Sequence, residues 1–299
     1  MGRAYAHALA ARGAKVVVMD YGVAALTSEG HDAGGREILV ADEIRAAGGE
    51  AIGVNGNVCS DDDGRRAVEA ALDAWGRIDI LVNNAGQTEV ATMVYEEPGP
   101  YLDDQLAVHV RGQLIMARAA WSHFERQNYG RILNTGSGSA FGWGDDLGRW
   151  KGSYTIAKSA VFGITRQLAG AGASRGIMVN AVMPWAWSRM VSSALGGTAM
   201  GEWMERHLTP ERVVQGALLL LHRDCPVNGQ FISSAGGRVA RIIFATPEGY
   251  YNPDVTPEDV LANWSQVAGD VDERGNIRGM IELAGSREEW SIFRKYFPD

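Results

Sequence analysis

The sequence predicts an α/β protein built on a doubly wound, mostly parallel sheet with helices on both faces. Two observations predict it. Short apolar runs alternate with helical stretches of ten residues or more. The residues able to do chemistry gather at the ends of those apolar runs, where such a sheet places its crevice.

The elements read in order. Arg3–Arg12 is an Ala-rich helix closed by Gly13. Lys15-Val-Val-Val-Met-Asp20 is a buried parallel strand. A Gly-containing loop, Tyr21–Gly35, leads to a helix near Glu37–Ala47, stopped by Gly48-Gly49, and a strand near Ala51–Val58. Asp61–Trp75 is an amphipathic helix, and Ile78–Val82 a strand running into Asn83-Asn84-Ala85-Gly86. Tyr101–Arg126 is a long helix, Gly130–Asn134 a strand, Ser153–Ser174 a second long helix and Met178–Met183 a strand. Beyond Val191 the pattern loosens to a helix at Glu211–Leu221 and a last strand at Gln230–Ser234. Residues 239–299 read as a C-terminal extension, with no linker to mark a boundary.

The 299 residues have room for one large α/β domain or two small ones. A net charge of -8 argues against general nucleic-acid binding but not against an anionic cofactor, which backbone N–H groups can hold. The two cysteines, Cys59 and Cys225, have no metal-ligand spacing, so neither a zinc site nor a disulfide framework is expected. No apolar run approaches the ~18 residues of a membrane span, and the first residues lack the apolar core of a signal peptide. A cytoplasmic protein with no membrane or nucleic-acid partner is expected.

Asp20, Asn57, Asn84, Ser137 and Pro184 all stand at or just past strand ends, which places them on one crevice. Tyr154 and Lys158 are four residues apart in a helix and share a face. A free tyrosine titrates near pH ~10, and a neighbouring ammonium would favour its phenolate, making it a base for an alcohol proton. Tyr-xxx-Lys alone also describes many solvated helix faces. Arg131-Ile-Leu-Asn-Thr-Gly-Ser137-Gly-Ser139 opens a strand into a small-residue loop. There a serine, Ser137 in preference to Ser139, could donate to a substrate oxygen or simply cap the loop. Asn83–Gly86 allows close backbone approach to a ligand, or makes a turn. Asp20 could accept from ribose hydroxyls and repel a 2′-phosphate, favouring NAD, or be a surface carboxylate.

Together these motifs, from Gly2 to about Gly237, resemble the short-chain dehydrogenase/reductase family, which implies a Rossmann-like fold and an NAD-dependent alcohol dehydrogenase or ketoreductase. The resemblance implies that Ser137, Tyr154 and Lys158 are the catalytic set. It also implies that Gly2, Asp20, Asn57, Val58, Asn84, Ala85, Gly86 and Pro184 border the cofactor together with Tyr154 and Lys158. Residues 1–299 are then a single dinucleotide-binding domain with its extension. Gly2-Arg-Ala-Tyr-Ala, Val108-His-Val-Arg-Gly112, Arg118-Ala-Ala-Trp121, Ser188-Arg-Met190 and Thr256–Trp264 further resemble the dehydrogenase domains of type 2 peroxisomal multifunctional enzymes. That group oxidises (R)-3-hydroxyacyl-CoA thioesters, and some members act on steroid alcohols. The resemblance implies an alcohol or ketone substrate and a homodimer or homotetramer packed through the two long helices.

The sequence departs from the family at four places. Asn57 replaces an Asp. His109 replaces a catalytic-site Asn of the wider family, although the narrower group shares it; a catalytic role and a buried structural histidine are both open. The segment Trp143–Trp150 lengthens the loop before Tyr154 and, with Trp185 and Trp187, should shape the substrate mouth. Finally, Gly2 resembles the last glycine of the turn that cradles the pyrophosphate, so the first strand and most of that turn are expected to lie upstream of Met1. The alternative is a non-catalytic relic or binding protein on the same fold.

Overall fold

A computed structural model describes residues 1–21, 36–87, 99–142, 152–273, 276–283, 291–292 and 294–296. The predicted loop over residues 22–35 and the insertion at 143–150 lie outside the described residues. The chain forms two compact units, Met1–Arg241 and Ile242–Asp299.

The first unit alternates helices and strands: α1 (Gly2–Ala10), β1 (Val16–Asp20), α2 (Arg36–Ala46), β2 (Ala51–Asn55), α3 (Asp61–Trp75) and β3 (Ile80–Asn83). Next come α4 (Gly99–Leu106), α5 (Gln113–Gln127), β4 (Gly130–Thr135), α6 (Gly152–Gly172) and β5 (Ile177–Trp185). Finally α7 (Arg189–Leu195), α8 (Ala199–His207), α9 (Pro210–Ala217), β6 (Phe231–Ala235) and β7 (Arg238–Ile242) complete it. Local chemistry sets the boundaries. The Ser60 side chain accepts from Asp63 N–H to cap α3, and Asp61, Asp62 and Asp63 fill the first turn, where the helix dipole favours negative charge. Gly76, at φ 72°, ends the helix in the left-handed conformation.

Strands β3 to β7 form one sheet in chain order, parallel from β3 to β6, and β1 pairs with β2 in parallel as a separate piece. Among the described residues β1 and β3 are not hydrogen-bonded to each other. Strand β2 is shorter than expected because Gly56 N–H bonds to the Asp20 carbonyl and Asn57 starts a turn in which its side chain accepts from Cys59 N–H at 2.9 Å.

On one face of the sheet Tyr5 of α1 packs with Leu133, Val182 and Val214. On the other, Ala67 and Val68 of α3 pack with Leu81, Phe124, Ile132 and Val179. No helix among the described residues is long and apolar enough to cross a membrane. In the second unit, β8 (Ala245–Thr246) and β9 (Ile281–Glu282) pair antiparallel. Helix α10 (Pro257–Ala262) begins with a reciprocal Thr256–Asp259 cap and is followed by α11 (Trp264–Ala268).

Candidate active site

Helix α6 presents Tyr154 and Lys158 on one buried face, 7% and 2% exposed. The Lys158 ammonium donates to the Thr135 carbonyl at 2.8 Å, which ties α6 to the end of β4. Burial disfavours its charged form and pulls its pKa from 10.5 to about 7. Past β4, Ser137 caps a 3₁₀ turn (Gly138–Phe141): its oxygen accepts from Ser139 N–H at 3.1 Å. The Ser137 hydroxyl also hydrogen-bonds the Tyr154 phenol. Burial raises the Tyr154 pKa, and the bond from Ser137 opposes that rise. The help expected from a neighbouring ammonium toward the phenolate is not the largest effect on Tyr154. Lys158 Nζ lies 5.7 Å from the tyrosine ring centre, but both groups share one dry environment, where desolvation is the largest effect on each. Ser139 is fully buried, and its hydroxyl has no partner among the described residues.

The long helix predicted over Tyr101–Arg126 is interrupted by a π-helical turn, Ala107–Gly112, which carries His109. Such turns shift a side chain's direction and recur at functional sites. The buried His109 ring stands edge-on to Tyr154, centroids 5.2 Å apart at 88°. Its Nε2 lies 2.7 Å from the Gln87 carbonyl, so this nitrogen carries the proton and donates, leaving Nδ1 as a buried acceptor without a partner among the described residues. Burial first, and then the Lys158 charge, lower the His109 pKa to about 3, so the ring is neutral at pH 7.

The other predicted residues line the same end of the sheet. Asp20 ends β1, exposed, in register with Asn55. Asn84 and Gly86 follow β3 and touch two site elements: a Cβ on Gly2 would lie 2.9 Å from Asn84 Nδ2, and one on Gly86 would lie 2.8 Å from His109 Cε1. Ala85 lies between them. Val58 packs against Gly112 of the π turn. Asn57 N–H bonds to the Asp63 carboxylate, and its side chain is engaged in its own turn. Pro184 lies near the end of β5, paired with Ser234. Behind these loops Asn83 donates to Asn134 Oδ1 at 2.9 Å, and Asn134 donates to Thr165 at 3.1 Å, locking β3, β4 and α6 together. The Trp185 ring covers Gly138 beside Ser137, whereas Trp187 packs near Gly201.

Sequence reasoning missed Gln105, Gln113 and the Thr135 carbonyl. Gln105, His109 and Gln113 are all buried at intervals of four residues. Three polar side chains on the core side of a long helix were the available signal. Among the described residues no cluster of three His, Cys, Asp or Glu side chains is placed to hold a metal ion.

Residues 1–238 match the family model described as enoyl-(acyl carrier protein) reductase. The chain is 34% identical over 294 residues to peroxisomal multifunctional enzyme type 2 of Drosophila melanogaster, covering 96% of this chain and 46% of that protein. It is 33% identical over 272 residues to a short-chain type dehydrogenase/reductase of Mycobacterium tuberculosis, covering 89% of this chain and 90% of that protein. The structure of the full-length Drosophila enzyme superposes with a TM-score of 0.76 at 26% identity, covering 99% of this chain and 47% of that one. The chain spans 29% to 57% of the length of the first multifunctional relatives it matches.

Proposed function

The chain belongs to the short-chain dehydrogenase/reductase family, and from that premise we propose that it interconverts a secondary alcohol and a ketone with NAD. The observation that carries the proposal is the half-buried Ser137 gathered with the buried Tyr154, Lys158 and His109 at the C-terminal end of the sheet, beside the Asn84–Gly86 loop.

The residues present fit a nicotinamide dinucleotide. The first turn of α1 has no side-chain cap, which leaves backbone N–H groups for an anion, and Gly2 lies so close to Asn84 that a Cβ would crowd it. Asn84, Ala85, Gly86, Val58 and Pro184 would border the cofactor, and Asp20 would face the adenosine ribose, favouring NAD over its 2′-phosphorylated form. The bound cofactor supplies the hydride acceptor in oxidation and the donor in reduction. Tyr154 exchanges the proton of its phenol with the substrate oxygen. Ser137 steadies both oxygens by hydrogen bonding. Lys158, held by the Thr135 carbonyl and titrating near neutrality, biases the tyrosine toward giving up its proton when it is charged. Neutral His109 fixes the Tyr154 ring from the side.

Within this reading the substrate is a 3-hydroxyacyl-CoA, a hydroxysteroid or another small secondary alcohol. The apolar groove of Leu114, Ala117, Trp121 and Leu168 on α5 and α6 supports self-association into a dimer or tetramer. The second reading is a protein of the same fold that binds dinucleotide poorly and does no chemistry. Titration with NADH, read by nicotinamide fluorescence, separates the two. A panel of the three alcohol classes with NAD, read at 340 nm, then tests the first. Binding without turnover of any class supports the second reading.

A further inference from the structure

Beside Ser137 the sheet carries aromatic surface that the proton chemistry does not use. Strand β5 stays largely buried until its last residue. Met183 is 1% exposed, whereas Trp185, two residues on and on the same face, is 40% exposed. The indole is mounted on a strand end. Pro184 fixes the backbone entering it, and Trp185 itself pairs with Ala235 of β6.

Glycine makes room for it. The β4–β5 register ends with Thr135 opposite Val182, and Gly136 N–H still bonds to the Val182 carbonyl at 2.8 Å. Past that point Gly136 meets Met183 and Gly138 meets Trp185. A Cβ on Gly136 would overlap the Met183 sulfur, and one on Gly138 would lie 3.1 Å from Trp185 Nε1 and 3.2 Å from its Cζ2. The missing side chains let the indole rest against the backbone of the turn Gly138–Phe141. Ser137 caps that turn and bonds the Tyr154 phenol. At the far end of the turn Phe141 is 53% exposed, and its ring leans on Phe162 of α6, centroids 5.4 Å apart. Two exposed aromatic rings thus flank the turn whose capping serine holds the proton-exchanging phenol.

We infer that Trp185 determines specificity, and that the preferred substrate is a secondary alcohol with a flat aromatic ring bonded to its carbinol carbon. The oxygen of such a molecule meets Ser137 and Tyr154, and its ring lies on the indole that covers the next residue, Gly138. A ring joined directly to the carbinol carbon has the reach this spacing asks for. Covering exposed apolar surface favours any apolar group, but the contact of two aromatic rings adds to that only when the substrate is itself aromatic. The inference narrows the reading of the chain as an alcohol–ketone oxidoreductase and rests on it.

The test compares acetophenone with cyclohexyl methyl ketone, which are alike in size and differ in whether the ring is flat and aromatic. Each is titrated against the full chain, with NAD and without it, and Kd is read from saturation-transfer NMR of the ketone. A ketone beside oxidised NAD has no hydride to receive, so the readout is binding and not turnover. Acetophenone should bind roughly three- to tenfold more tightly than its saturated counterpart. Trp185→Leu keeps an apolar side chain and should abolish that preference, while Trp185→Phe should keep most of it. Equal binding of the two ketones by the parent, a preference for the saturated ring, or a preference that survives in Trp185→Leu overturns the inference. Absence of binding by both ketones also overturns it. Hydride transfer is measured separately at 340 nm with NADH. A chain that binds acetophenone through Trp185 but reduces neither ketone refutes the oxidoreductase reading, while the ring-binding role of Trp185 stands.

Discussion

Replacing the His109 imidazole with an asparagine amide should change how the protein responds to acid. In the folded chain the ring is buried and its pKa is lowered to about 3 from 6.5. Between those two values the unfolded chain holds a proton that the folded chain lacks. Stability contributed by the neutral ring is thus present above about pH 6.5 and lost as pH falls toward 3. At 1.36 kcal/mol per pH unit, acidification from pH 7 to pH 4 should cost about 3 kcal/mol through this one group. An amide cannot take up a proton in that range, so the His109→Asn variant should lose about 3 kcal/mol less than the parent over the same interval. Urea unfolding at pH 7, 5.5 and 4, followed by tryptophan fluorescence, measures both proteins. The comparison between them cancels the carboxylates common to both. Equal acid losses would refute the reasoning, because they would mean that His109 is solvated or charged in the folded state.

Three other outcomes are expected. Lys158 has its pKa lowered to about 7, so the unfolded chain alone keeps this proton between pH 7 and 10.5, and stability should rise with pH across that window. Unfolding at pH 7 and 9 should show Lys158→Met lacking about 2 kcal/mol of that rise. Gly86→Ala places a methyl group 2.8 Å from His109 Cε1, and should lower kcat by tenfold or more while Tm falls by only a few degrees; an unchanged kcat would separate His109 from the chemistry. Gly130→Ala drives a Cβ to 2.5 Å from the buried Phe124 ring and should cost about 2 kcal/mol in urea unfolding with no specific effect on KM.

The alternation of strand and helix was legible because apolar runs and helix stops are local signals. The helix stopped by Gly13 and the helix Asp61–Trp75 keep their expected bounds in the structure within a residue or two. Tyr154, Lys158 and Ser137 were legible because four-residue helical spacing and a strand-end loop leave few arrangements. The π turn at Ala107–Gly112 was not, since one extra residue per turn rotates the helix without breaking its apolar pattern. Gln105 and Gln113 were passed over because an amide on a helix reads as solvent-facing until the neighbouring elements are in place. The balance of forces on Tyr154 was also out of reach. Sequence names the cation near it, but only packing reveals that both groups are dry and that burial is the largest effect on each.

The most direct measurement is the rate of NADH formation at 340 nm with a 3-hydroxyacyl-CoA, a hydroxysteroid or a small secondary alcohol and NAD, for the parent chain and Tyr154→Phe. The account predicts turnover of at least one class by the parent. It also predicts a loss in Tyr154→Phe of about a hundredfold or more, the usual weight of a positioned proton-exchanging group, with NADH affinity and the unfolding midpoint little changed. A Tyr154→Phe variant that turns over the same substrate at the parental rate would contradict it.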